Sequence, residues 1–172
     1  VTGSGAALVC NEGTGPRIES CTIGTVVDLG IKDANNMGAA MAPAAFATIR
    51  AHFEDLHTSP EDFDLIVTGD LGHLGMDLLL QLARDEGISL GGKLTDCGVM
   101  VFDNLLQDVH SCGSGCGCSA IVLCGELLNK LRSGKLKKIL FCGTGALLSP
   151  TSTQQGLPIA GVCHAVCITG GR

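Results

Sequence analysis

The sequence predicts a layered α/β domain built on a mixed sheet of five to six strands, and three observations carry that expectation. Short apolar or β-branched runs alternate with amphipathic stretches once an opening β pair has passed. The chain closes with two further strand-like runs. Its 172 residues, 45% of them hydrophobic, suffice for one domain with a sizeable core.

Residues 6–11 (AALVCN) form a short apolar run, and the turn-like EGTGP at 12–16 leads into the β-branched run at 20–31. Together they read as an antiparallel pair. Residues 36–57 read as a helix, with Pro43 in its first turn and Ala45, Ile49 and Phe53 on one face. A polar break at 59–64 precedes a buried strand at 64–69 that ends in glycine. Residues 76–87 are helical, stopped by Gly87, and 96–103 (DCGVMVFD) read as a short strand. Residues 113–133 read as a helix with a glycine-rich start and an apolar face of Ala120, Leu123, Cys124, Leu127 and Leu131. The last strands are 137–143 and 161–169, separated by a loop rich in Ser, Thr, Gln and Gly. No domain boundary, repeat or low-complexity tract interrupts the pattern.

Composition excludes several function classes. The net charge of -6 argues against a general nucleic-acid binder, and five Phe with no Trp or Tyr leave no stacking platform for single strands. Lys135, Lys137 and Lys138 read as the solvated end of a helix. No run approaches the ~20 apolar residues of a membrane span. The ten Cys sit mostly inside apolar runs, so Cys10, Cys142, Cys163 and Cys167 read as small hydrophobes in strands of a reduced protein.

In a sheet of this kind ligands gather at strand carboxyl ends and helix N-termini, which singles out 68–75 (TGDLGHLG) and 108–117 (DVHSCGSGCG). The second loop shows the spacing H-x-C-x3-C-x-C. It lacks the second cysteine pair of a structural zinc site and the spacing of an iron–sulfur site. Cys112 and Cys116 near a helix start suit a lowered thiol pKa, yet the plainer reading is small residues that let the helix approach the sheet. His110 precedes a helix start whose free N–H groups favour an anion, so it is either a ligand group or the cap of a turn. Asp70 either faces His110 across the sheet edge or caps the next helix. His52 and His57 read as solvated, His164 as a core histidine, and His73 as a residue at the pocket rim. The loop 149–156 offers hydroxyl and amide donors or is simply polar. No catalytic triad, carboxylate pair, P-loop or correctly placed dinucleotide loop is present.

The element order and the two loops resemble the C-terminal half of the thiolase fold, in which a G-H-P-x-G-A-S-G loop carries an active-site histidine. VHSCGSGCG matches it with His110 and Gly113, with Val109 and Ser111 departing from the pattern, and Asp70 falls at a second polar pocket position. The acid/base motif C-x-G-x-G is matched poorly, because Thr144 follows Cys142 where a glycine is required. More specifically, TIGTVVDLGIKDANNMGAAMAPAA, DLIVTGDLG, DCGVMVFD, DVHSCGSGCGCSA and TGALLSPTSTQQG resemble the stage V sporulation protein AD family over nearly the whole chain. That resemblance implies a single thiolase-like domain over 1–172, the C-terminal half of a longer protein whose N-terminal half is absent here. It implies ligand binding and not acyl transfer, with no catalytic residue, metal or cofactor of its own. The ligand would be dipicolinic acid, alone or as its calcium chelate, held by His110, Gly113, Gly115 and Asp70. The implied partners are the membrane proteins of the stage V sporulation A complex and a second copy of the chain. The implied location is the periphery of the spore inner membrane. Acyl transfer using His110 and Cys142, and metal or redox chemistry using Cys112, Cys116 and Cys118, are the alternatives.

Overall fold

The structure is a computed structural model and describes residues 2–171. Among these residues five strands form one mixed sheet: β1 (Arg17–Ile23), β2 (Leu65–Thr68), β3 (Leu94–Asp96), β4 (Lys138–Ala146) and β5 (Gly161–Thr169). Their order is β1-β5-β4-β2-β3. β5 runs antiparallel to both β1 and β4, whereas β2 is parallel to β4 and β3. The mixed α/β sheet expected from the sequence is present.

Helices cover both faces, and the period-2 alternation of the strands divides the core accordingly. Ile66, Leu140, Cys142, Cys163 and Ala165 pack beneath α1 (Met37–Leu56) and α2 (Gly72–Asp85). Val67, Ile139 and Ile168 pack on the opposite face with Cys97 of α3 (Cys97–Val101), Cys118 and Val122 of α4 (Cys118–Val122), and Leu131 of α5 (Leu128–Arg132). A short α6 (Pro150–Gln154) lies in the loop before β5.

Local chemistry explains the helix that matters most for the cleft. Asn36 caps α1 by accepting the Ala39 N–H at 3.2 Å, and His57 closes it in a left-handed conformation. α1 crosses α2 at Gly38 and Gly75. A Cβ on Gly38 would sit 3.1 Å from the Gly75 Cα, so no larger residue permits this approach. Past the end of α2, the Gly87 and Ile88 amides bond the Arg84 and Ala83 carbonyls, which is the stop expected at Gly87.

Several local expectations fail for identifiable reasons. Residues 6–11 join no strand, because β1 pairs with β5 and the chain start lies on α4, where Gly3 and Gly5 abut Ile121 and Ala120. Cys10 is exposed there and not a strand residue. Pro43 is the seventh residue of α1 and not in its first turn; the missing N–H is tolerated in a helix whose Ala42, Ala44, Ala45 and Ile49 are fully buried. The strand read at 96–103 ends at Asp96, whose carboxylate caps α3 and turns the chain into helix. The helix read from 113 begins at Cys118, and Leu123–Leu127 form a π turn between α4 and α5. The extra residue lengthens the step between buried positions across the turn, so Cys118 and Val122 are followed by Leu127 and Leu131, while Leu123 and Cys124 of the expected face are only half-buried. Lys138 starts β4 and pairs with Glu19 at 3.0 Å.

Two histidines exchange their expected places. His52 is 1% exposed and its Nδ1 lies 2.8 Å from the Thr22 hydroxyl. Burial first, then the Lys138 charge, hold its pKa below the ordinary imidazole value. His164 is exposed on β5, its Nδ1 accepting the Gly24 N–H at 3.1 Å.

Candidate functional site

A cleft of about 730 Å³ opens at the carboxyl ends of β2 and β4. Its polar lining comes from four places in the chain: Asn35 and Asn36 at the start of α1, Asp70 after β2, Ser114 and Ser119 around the start of α4, and Thr144 in β4. Met41, Leu71, Leu74 and Ala146 supply apolar surface. Among the described lining residues Asp70 is the only charged one. Met37 and Gly38 of the first turn of α1 also line it, and a helix leaves its first N–H groups without intrahelical partners, of which Asn36 takes that of Ala39.

Asp70 is half-buried and clamped to the loop before α4. Its carboxylate accepts the Ser114 N–H at 3.0 and 3.1 Å, the Ser114 hydroxyl at 3.0 Å and the Gly115 N–H at 2.7 Å. Its own N–H donates to the Thr144 hydroxyl at 3.3 Å. Gly115 sits at φ 98°, a conformation that glycine adopts without strain.

Behind Asp70 lies a second carboxylate that the sequence reading passed over. Asp96 is fully buried. It accepts the Thr68 hydroxyl at 2.7 Å and the amides of Leu71 at 2.8 Å, Gly72 at 3.0 Å and Gly98 at 3.0 Å. Burial pushes its pKa up against the opposing pull of these donors, and the charge of Asp70 adds to the rise. The cap of α2 therefore comes from Asp96 and not from Asp70. The usable signal was an aspartate two residues ahead of a glycine at a chain reversal.

The backbone around Ser111 is strained. His110 (φ 48°) and Cys112 (φ 64°) flank it in left-handed conformations. The Ser111 carbonyl accepts the His73 N–H at 2.7 Å and lies against Gly72, itself at φ 66°.

The structure brings Asp70, Gly113 and Gly115 together at the cleft. His110 stands apart, its side chain 91% exposed and its Nδ1 3.9 Å from Asp108 Oδ1. His73 is half-buried but lines no part of the cleft. Of the cysteines in this loop, Cys116 is exposed and lines the cleft, while Cys112 and Cys118 are buried. Burial raises the pKa of both buried thiols. Among the described residues no group of three or more His, Cys, Asp or Glu is arranged to hold a metal ion. Sequence reasoning missed Asn35 and Ser119, which carry no motif, and read Thr144 only as a departure from an acid/base motif; the three converge only through the fold. Asn36 was read only as the first residue of a helical stretch and not as a lining residue.

The sequence model of the family described as Stage V sporulation protein AD matches residues 1–169. The chain is 44% identical over 166 residues to Stage V sporulation protein AD of Bacillus subtilis (strain 168), covering 96% of this chain and 49% of that protein. It thus spans about half the length of the curated relative it matches. Among solved structures, MvaS in complex with 3-hydroxy-3-methylglutaryl coenzyme A aligns with TM-score 0.48 at 12% identity, covering 92% of this chain and 41% of that one. 3-Oxoacyl-[acyl-carrier-protein] synthase III from Aquifex aeolicus VF5 aligns with TM-score 0.40 at 14% identity, covering 91% and 54%.

Proposed function

The chain belongs to the stage V sporulation protein AD family, and on that premise we propose that it supplies one wall of a binding site for dipicolinic acid. The protein then serves as the ligand-binding subunit of the complex that moves dipicolinate, as its calcium chelate, across the spore inner membrane during sporulation. The observation that carries this reading is the cleft. A planar pyridine dicarboxylate needs donors for its carboxylates and an apolar surface for its ring. The α1 N-terminus and the hydroxyls of Ser119 and Thr144 offer the first, and Met41, Leu71 and Leu74 offer the second. Asp70 would repel a free dianion but not a neutral calcium chelate.

Binding without acyl transfer is supported by Cys142. Its thiol is fully buried in the sheet core and lines no part of the cleft. Contact with Cys163, followed by burial, pushes its pKa well up, which suits packing and not acid/base work. Among the described residues no helix is long and apolar enough to cross a membrane. Peripheral attachment through the membrane proteins of the complex, with a second copy of the chain as a further partner, follows from the same proposal.

Titration calorimetry of dipicolinate, with and without calcium, into the full polypeptide that carries this sequence tests the reading. Saturable binding is expected, and no heat in either arm sinks it. Ser119→Ala, which removes a cleft hydroxyl, is expected to weaken binding by about fivefold, the scale of one hydrogen bond, whereas His110→Ala, outside the cleft, is expected to leave the affinity unchanged. Unchanged affinity in Ser119→Ala removes that hydroxyl from the site, and weaker binding in His110→Ala brings His110 into it. An acyl-CoA mass adduct on the unmodified protein would instead favour the transferase alternative.

A further inference from the structure

We infer that Asp96, which lines no part of the cleft, is the positioning residue that sets its loop wall by fixing where Asp70 meets Ser114 and Gly115. Asp70 is bracketed in sequence by residues that Asp96 holds: the Thr68 hydroxyl on one side at 2.7 Å, the Leu71 and Gly72 amides on the other at 2.8 and 3.0 Å. The short turn between β2 and α2 therefore has no freedom to swing its carboxylate. Asp96 also holds the Gly98 amide, and the space a Gly98 side chain would need is filled by Asp70 Oδ1, the Cys112 carbonyl and Asp96 itself. Three loops converge on that point: the β2–α2 turn, the start of α3, and the loop 108–117 that forms the cleft wall. One buried carboxylate organises the first two, and Asp70 transmits the arrangement to the third through its bonds to Ser114 and Gly115. Buried and fully bonded polar groups of this kind specify one loop arrangement out of several compact ones.

The inference deepens the dipicolinate reading and rests on it for its ligand arm, so its test has two arms. Amide hydrogen exchange on Asp96→Asn is expected to accelerate about tenfold at Ser114 and Gly115, amides that Asp96 does not touch, while Ile139 and Leu140 in β4 keep their protection. In parallel, the dipicolinate Kd is expected to rise about tenfold. If the unmodified protein binds no dipicolinate, the ligand reading falls and the exchange arm alone decides. Unchanged exchange at Ser114 and Gly115 overturns the inference. So does equal acceleration at β4, which marks a general structural role. Should Asp96→Asn not fold, Thr68→Val decides, since it removes one Asp96 donor at nearly constant volume. About threefold faster exchange confined to Ser114 and Gly115 supports the inference, and no local change overturns it.

Discussion

The Asp70 carboxylate accepts the Gly115 amide hydrogen at 2.7 Å, tying the end of β2 to a loop 45 residues further along the chain. With the bonds from Ser114 it forms a charged clamp in a half-buried site. Truncation takes the charged acceptor away from those donors. Asp70→Ala is therefore expected to lower the unfolding free energy by about 2–3 kcal/mol, read from urea denaturation. A loss under about 0.5 kcal/mol would show that water replaces the clamp at no cost.

Gly72 and Gly87 share a left-handed φ, 66° and 75°, but differ in their surroundings. A Cβ on Gly72 collides with the Ser111 carbonyl, whereas one on Gly87 meets open space. Gly87→Ala is expected to cost about 1 kcal/mol, for backbone strain alone. Gly72→Ala is expected to cost at least about 2 kcal/mol, because strain and collision add. Equal melting temperatures for the two variants would refute this difference.

His110 pays for a left-handed backbone without packing in return. His110→Gly is expected to raise stability by up to about 1 kcal/mol. Destabilisation would mean that the imidazole makes a contact in solution worth more than the strain.

His52 makes stability depend on pH. Its pKa is depressed in the folded protein, chiefly by burial, so the unfolded chain takes up a proton first as pH falls. The His52 contribution is fully present above the unfolded value of about 6.5 and is lost as pH falls from there toward the depressed folded value. The stability difference between the native protein and His52→Gln should thus shrink from pH 7.5 to 5.5, by no more than about 1.4 kcal/mol per pH unit. A pH-independent difference would mean that His52 titrates alike in both states.

The thiols should divide by burial. Cys10, Cys21 and Cys116 are exposed and should take up iodoacetamide in the native protein. Cys97, Cys112, Cys118 and Cys142 are buried, and burial raises the pKa of the Cys97, Cys112 and Cys118 thiols. Burial does the same for Cys142, behind its contact with Cys163. These four should react only after denaturation, as peptide mass mapping can show. Native labelling of Cys118 would place the start of α4 in an open conformation.

The sequence by itself determined the α/β class, α1, α2, β2, β4 and β5, because hydrophobic period and capping residues act within a few positions of one another. It also located the two loops that meet at the cleft, since glycine-rich turns after strands and before helices announce themselves by composition. Only the tertiary structure decided that residues 6–11 stay unpaired, that a π turn rotates the face of the last helix, and that His52 is buried while His164 is exposed. It alone decided that Asp70 clamps Ser114 and Gly115 while Asp96 supports the turn beneath. The physical reason is common to these cases. A carboxylate bonded to backbone amides has partners that every residue but proline possesses, so residue identity leaves no trace of the pairing. Strand pairing and helix rotation likewise depend on which distant segment packs at an edge or a face, and no short window of sequence contains that segment.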